Sequence, residues 1–269
     1  MIRDITIGQY YNVKSIVHDL DPRVKLFATM IFLISLFISK SEYAYFIEGI
    51  FLFSLIKLSN VPLKYMFKGI KPLLFLLLIS VIFNLILTTG EVVFSFWIIN
   101  ITKEGISLAI RMGLRFIFLV LGSSLLTYTT TPNKLTDGLE KSFSFLKAVK
   151  VPVGEIALMM SIALRFIPIL IEEVDKIMKA QMSRGADFDN GNIIEKGKAL
   201  VPLLVPLFIS AFRRADDLAL AMEARCYTTS ENRTKYKPLK YQKIDFIAYI
   251  ILFIYLFFVF STRFFRFIN

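Results

Sequence analysis

Apolar residues in this chain come in runs bounded by charged residues, not at the spacing of a soluble core. Five runs predict membrane-crossing helices: Val24 to Ser39, Tyr43 to Leu58, Pro72 to Thr88, Gly105 to Thr127 and Ile244 to Phe260. Most fall short of the ~20 residues that a helix needs to cross ~30 Å of hydrocarbon, so their ends must draw on interfacial Tyr, Lys and Arg. Between Tyr128 and Lys243 the pattern mixes apolar stretches with charged ones. Thr131-Pro132 reads as a helix start, with Thr as cap and Pro at the first position, and Val151-Pro152 opens another segment in the same manner. A long helix follows from Pro152 to Ser183, in which Glu172 with Lys176 and Asp175 with Lys179 have the spacing that supports an exposed face. Asp189-Asn190-Gly191 reads as a turn. A second long helix runs from about Leu200 to Arg225, started or interrupted at Pro202 and Pro206.

Composition strengthens the membrane reading. Hydrophobic residues make up 56% of the 269, 27 of them Phe, which exceeds the usual apolar share. The net charge of +11 then becomes a matter of topology. Lys57, Lys64, Lys68 and Lys71 lie between the second and third runs with no acid among them, whereas the flanking loops offer only Lys40 and Lys103. The Lys-rich loop is therefore expected in the cytoplasm, and the N-terminus, with Arg3, Lys14, Arg23 and Lys25, falls on the same side. So does the stretch 128–243, while Arg263 and Arg266 at an outer C-terminus run mildly against the rule. The first twenty residues are polar and mixed, so no cleavable signal is expected. The fold class predicted is an all-α membrane protein of about five transmembrane helices, with a large cytoplasmic helical segment between spans four and five. Three regions follow: 1–127 with spans one to four, 128–243, and the last span in 244–269.

Candidate chemistry is sparse. Cys226 is the only cysteine and His18 the only histidine, so no intrachain disulfide and no four-cysteine zinc site can form. No catalytic cluster assembles from spacing, and no metal or cofactor is expected. The 18 Lys and Arg between Tyr128 and Lys243 are interleaved with 13 Asp and Glu, which argues against nucleic acid as a partner. Within the spans the polar groups are Glu48, Asn84, Arg111 and Arg115. Glu48 and Arg111 lie at similar depth from the outer side and are expected to pair, as a structural ion pair or as part of a translocation site. Asp21 can cap the first span with Pro22 at its first position, and Arg23 and Lys25 are placed to hold the inner interface near anionic headgroups. His18, beside a helix start, reads as an interfacial or capping residue, and Met159-Met160 as packing.

The two long helices of the 128–243 stretch look like copies. A shift of forty-one residues aligns Asp175 with Asp216, Ala180 with Ala221 and Arg184 with Arg225. Ser183-Arg184-Gly185 reads as a helix C-terminus closed by Gly in the left-handed conformation. Ala224-Arg225-Cys226 stands in the same place in the second copy, where a left-handed Cys costs energy that Gly does not. Arginine in a last turn is favoured by the helix dipole, by ~0.3 to 1 kcal/mol, and Lys would serve equally. A planar guanidinium at each of two helix tips also suits docking on the carboxylates or carbonyls of a partner protein. Both readings stand on the residues alone.

These paired triplets resemble those of the T component of energy-coupling factor transporters, the EcfT or CbiQ family. Ser15-Ile16-Val17-His18-Asp19-Leu20-Asp21-Pro22-Arg23-Val24-Lys25, with Gly8-Gln9-Tyr10 upstream, is similar to that family's entry to the first span. The resemblance implies a non-catalytic subunit of a bacterial inner-membrane transporter for vitamins or metal ions. It implies as partners two ABC-type ATPase subunits, docked at Ser183, Arg184, Gly185, Ala224, Arg225 and Cys226, and a small membrane-embedded substrate-binding (S) subunit. The chain has no Gly-rich phosphate loop with a following Lys, which fits a subunit that is not itself the ATPase. A channel or secondary transporter working alone is the alternative, and would be expected to show more intramembrane polarity and broken helices.

Overall fold

The structure, a computed structural model, describes the chain apart from residues 1–9, 40, 97–98, 187, 189–192, 228–237 and 269. Arg3, Gly8, Gln9, Lys40 and the Asp189-Asn190-Gly191 turn therefore lie outside the described residues.

The first N–H groups of a helix need an acceptor. Ser15 Oγ accepts from the His18 N–H at the start of α1 (Ile16–Asp19). Asp21 accepts from the Arg23 N–H at the start of α2 (Pro22–Ile38), and Pro22 takes the first position as expected. Asn60, in the left-handed conformation with φ 55°, ends α3 (Glu42–Ser59). Next, α4 (Leu63–Ile70) passes through a tight turn at Lys71–Leu73 into α5 (Leu74–Leu87). An antiparallel hairpin of β1 (Val92–Phe96) and β2 (Ile99–Thr102), not foreseen from the sequence, leads into α6 (Lys103–Thr129), where the Thr102 hydroxyl accepts from the Gly105 N–H. The Lys134 N–H donates to Thr131 Oγ1 at 3.4 Å at the head of α7 (Pro132–Ser142). The remaining helices are α8 (Val153–Ser183), α9 (Ile193–Ala224) and α10 (Lys243–Ile268). Helix α9 begins earlier than expected and runs through both Pro202 and Pro206 without ending at either.

The chain divides into two compact units, one of Gly8–Ser142 with Leu239–Asn269 and one that includes Phe143–Pro238. Helix α7 belongs to the first unit and packs on α2, where a Cβ on Gly138 would lie 3.0 Å from Pro22 Cβ, so Gly suits that close approach. In the first unit α6 packs against α2, α3, α4 and α5. The core joins Phe32 and Leu36 of α2, Leu52 and Ile56 of α3, Met66 of α4, Leu121 and Leu125 of α6, and Leu252 and Tyr255 of α10. By contrast no residue of α5 is buried, and Phe75, Phe83 and Leu87 are exposed. An apolar helix with an open surface suits lipid as its solvent.

Among the described residues four helical stretches are long and apolar enough to cross a membrane: Leu63–Leu87, Lys103–Thr129, Val153–Ser183 and Lys243–Thr262. The set differs from the five runs expected. Helix α2 has 17 residues, which is ~26 Å at ~1.5 Å per residue, and α3 carries Glu42, Glu48 and Lys57 in its 18. Helix α8, expected in the cytoplasmic stretch, meets the same measure of length and composition.

Candidate functional site

In the second unit α8 packs against α9. Each helix must close its last carbonyls. In α8 the Gly185 N–H donates to Met182 O at 3.0 Å and the Ala186 N–H to Gln181 O at 3.0 Å, with Gly185 at φ 90°. In α9 the Cys226 N–H donates to Glu223 O at 2.8 Å and the Tyr227 N–H to Met222 O at 3.0 Å, with Cys226 at φ 55°. Two bonds of this kind around a left-handed residue are the Schellman closure. The second copy thus ends in the same way as the first, with Cys226 in the strained role that Gly185 fills freely.

Arg184 and Arg225 each precede the left-handed residue, and each donates its backbone N–H to the carbonyl three residues back, at 3.0 and 3.1 Å. Both are exposed, and among the described residues neither side chain has a hydrogen bond or an ion-pair partner. Ser183, Gly185, Ala224 and Cys226 are exposed beside them. Among the described residues neither guanidinium bonds the last carbonyls of its own helix. Arg214 of α9 does reach α8, with Nη2 donating to Glu173 Oε2 at 3.1 Å, and Gln181 Nε2 donates to Pro202 O at 3.3 Å. From the first contact to the second the chain advances along α8 and retreats along α9, so the two helices cross in opposite senses. The expected pairs Glu172–Lys176 and Asp175–Lys179 do not form ion pairs; among the described residues the second unit's one ion pair is Glu173–Arg214.

The intramembrane polar groups assemble differently from expectation. Glu48 is fully buried, yet it makes no ion pair with Arg111. Its Oε1 accepts from Ser39 Oγ at 2.5 Å, and its Oε2 has no partner. The guanidinium brought to this place is Arg115, whose Nη2 donates to Ser39 O at 3.2 Å and to Tyr45 Oη at 2.8 Å. Arg111 and Arg115 are one helical turn apart on the same face and differ by ~6 Å in depth; similar depth favoured Arg111, but packing of α6 against the end of α2 selected Arg115. Asn84 bonds back to Ser80 O at 2.7 Å within α5.

Arg23 and Lys25, expected at the interface, both bond to other parts of the protein. Arg23 pairs with Asp21 at 2.8 Å and lies over the Tyr241 ring, 3.8 Å from its centroid. Lys25 is buried and donates to His18 O and Thr129 O, both at 2.9 Å. Burial pushes the Asp21 carboxyl up, but the bonds from Arg23 outweigh it and hold Asp21 below the ordinary carboxylate value. His18 Nε2 donates to Tyr11 O at 3.0 Å and Nδ1 sits 2.7 Å from Ser15 Oγ, which fixes the neutral ring with its proton on Nε2. Its pKa is lowered, first by burial and further by Lys25. Asp245, not foreseen from the sequence, joins this group, and its place three residues after Gln242 at a helix start is the signal that points to it. Among the described residues no group of three or more His, Cys, Asp or Glu could hold a metal ion.

A family profile described as CbiQ, cobalt transport protein, matches residues 13–236. The chain is 50% identical over 267 residues to the energy-coupling factor transporter transmembrane protein EcfT of Ruminiclostridium cellulolyticum, covering 96% of this chain and 100% of that one. It is 50% identical over 250 residues to the protein of the same description from Clostridium kluyveri, covering 92% and 93%. To that of Bacillus subtilis it is 44% identical over 263 residues, covering 96% and 99%. With matches over so much of its length, this chain, a multi-pass helical membrane protein, belongs to the CbiQ and EcfT family of transmembrane transport proteins.

Proposed function

We propose that this chain is the energy-coupling subunit of an uptake transporter, linking ATP hydrolysis by two ABC-type ATPase subunits to a small substrate-binding membrane subunit that carries vitamins or metal ions. One observation carries the reading: two helices of the same unit end in the same closure, and each presents at the same position an exposed arginine whose side chain has no partner among the described residues. Two equivalent cationic tips suit two equivalent receivers. Their guanidinium groups offer planar, paired donors to carboxylates or carbonyls. The names of the relatives, energy-coupling factor transporter transmembrane protein, support the assignment. In this reading the unit that includes Phe143–Pro238 faces the cytoplasm, where ATP is available.

The test is Arg184→Lys, Arg225→Lys and the double substitution, with recovery of ATPase subunits measured beside folding of the chain. Lys keeps the charge that a helix dipole responds to and loses the planar fork. Loss of a desolvated charged contact typically costs ~2 to 5 kcal/mol, so assembly should fall by a factor of tens to thousands. A double Lys variant that folds and assembles normally overturns the docking role. Purification of the chain as a lone homo-oligomer would favour a channel instead.

A further inference from the structure

Along the chain, residues 143–238 are attached to the first unit at two points, Ser142 and Leu239. Both are tied to one short stretch, Asp21 to Lys25. On the outgoing side α6 ends at Thr129, where a helix leaves its last carbonyls open. Here the Tyr11 N–H donates to Tyr128 O at 2.9 Å, and Lys25 Nζ to Thr129 O at 2.9 Å. Helix α7 follows, seated on Pro22 through Gly138.

On the returning side Asp245 stands in the first turn of α10 and is 1% exposed. Its Oδ2 accepts the Gln242 N–H at 2.7 Å, which caps its own helix. Its Oδ1 accepts the Asp21 N–H at 2.8 Å, so one carboxylate serves the N-termini of two helices. Arg23 adds a second tie through the Tyr241 ring.

Lys25 and Asp245 are buried charges without an ion-pair partner among the described residues. Each is held by backbone groups alone. Apolar residues of similar size could hold packed helix ends with no loss of stability, but they would let the ends slide, whereas charge-assisted bonds to particular carbonyls and amides set the register. We infer that Lys25 and Asp245 are positioning residues of transport, which lock both attachment points of residues 143–238 onto α2 so that motion delivered there is passed to α2, α6 and α10 together. The inference rests on the energy-coupling reading.

The test uses the full chain with its co-purified ATPases in lipid nanodiscs. Nitroxides are placed at Asn133 and Ile247, both exposed, through an unnatural ketone-bearing residue that spares Cys226. In the wild type the distance distribution between them should stay the same with and without Mg·ATP. In Lys25→Met and Asp245→Asn it should broaden or shift only when Mg·ATP is added, with ATPase recovery and hydrolysis retained. Should either variant fail to fold, Arg23→Lys, which loosens the Tyr241 tie and leaves the caps intact, carries the same expectation with a smaller shift. Variants that keep the wild-type distribution in both states overturn the inference alone, as does broadening that is equal without nucleotide, which would mark a merely structural role. A wild-type chain that recovers no ATPase overturns the coupling reading and this inference with it.

Discussion

Glu173 and Arg214 meet at 3.1 Å, and they are the same forty-one positions apart as Arg184 and Arg225. Contact between equivalent positions is what a two-fold relation asks of residues at its axis. In a homodimer those residues would be identical; a repeat within one chain can make them opposite in charge. Helices α8 and α9 thus cross as an equivalent pair at this contact. Each arginine tip lies eleven residues beyond it, ~16 Å along its own helix. The Arg214 side chain is 39% exposed, so the bond contributes ~1 kcal/mol or less, and its importance is register.

The two helix ends differ in the residue that takes the left-handed turn. Cys226→Gly should stabilise the chain by about 1 kcal/mol, and Gly185→Ala should destabilise it by a similar amount, because only Gly adopts positive φ without strain. Thermal unfolding of the purified protein in detergent measures both. A lower midpoint for Cys226→Gly would show that the Cys226 side chain makes a contact outweighing its strain.

Glu48 and Arg115 share Ser39, so Glu48→Ala and Arg115→Ala should each cost about 1 to 3 kcal/mol by leaving buried polar groups unpaired. Arg111→Ala, at a position without a polar partner among the described residues, should change stability by no more than about 0.5 kcal/mol. Exchanging Glu48 with Arg111 should not recover folded protein. Recovery by that exchange would restore the direct pair first expected.

His18 is held neutral in the fold, with its pKa below the ordinary 6.5. The unfolded chain therefore binds the proton more readily, and stability is complete above pH 6.5 and falls as the pH drops through the lowered value. Wild type should lose thermal stability between pH 7.5 and pH 5.5 more steeply than His18→Gln, whose amide can still donate to Tyr11 O. Equal slopes would remove His18 as the cause.

Asn133 is exposed at the head of α7, and the proposal that this end of the bundle faces the cytoplasm rests on the Lys-rich loop from Lys57 to Lys71. A cysteine at Asn133 should resist an impermeant thiol reagent added to intact cells and react after the membrane is opened. Labelling in intact cells would reverse the topology.

By itself the sequence determined what depends on neighbours along the chain. Apolar runs located α2, α3, α5 and α6 to within two residues at each end but missed α4 and stopped eight residues short of the end of α10. Pro22 and Asp21 marked a helix start, and the forty-one-residue shift found two ends whose backbones close alike. Those features are written in local periodicity, capping chemistry and the sterics of Gly and Pro, which act within a turn or two. Tertiary structure alone decided which turn of one helix meets which turn of another. It placed Arg115 rather than Arg111 beside Ser39, buried Lys25 instead of leaving it at the membrane surface, and brought Asp245 to Asp21 across 224 positions. A helix face 3.6 residues per turn offers several equally polar candidates, and only packing of whole helices against each other selects one.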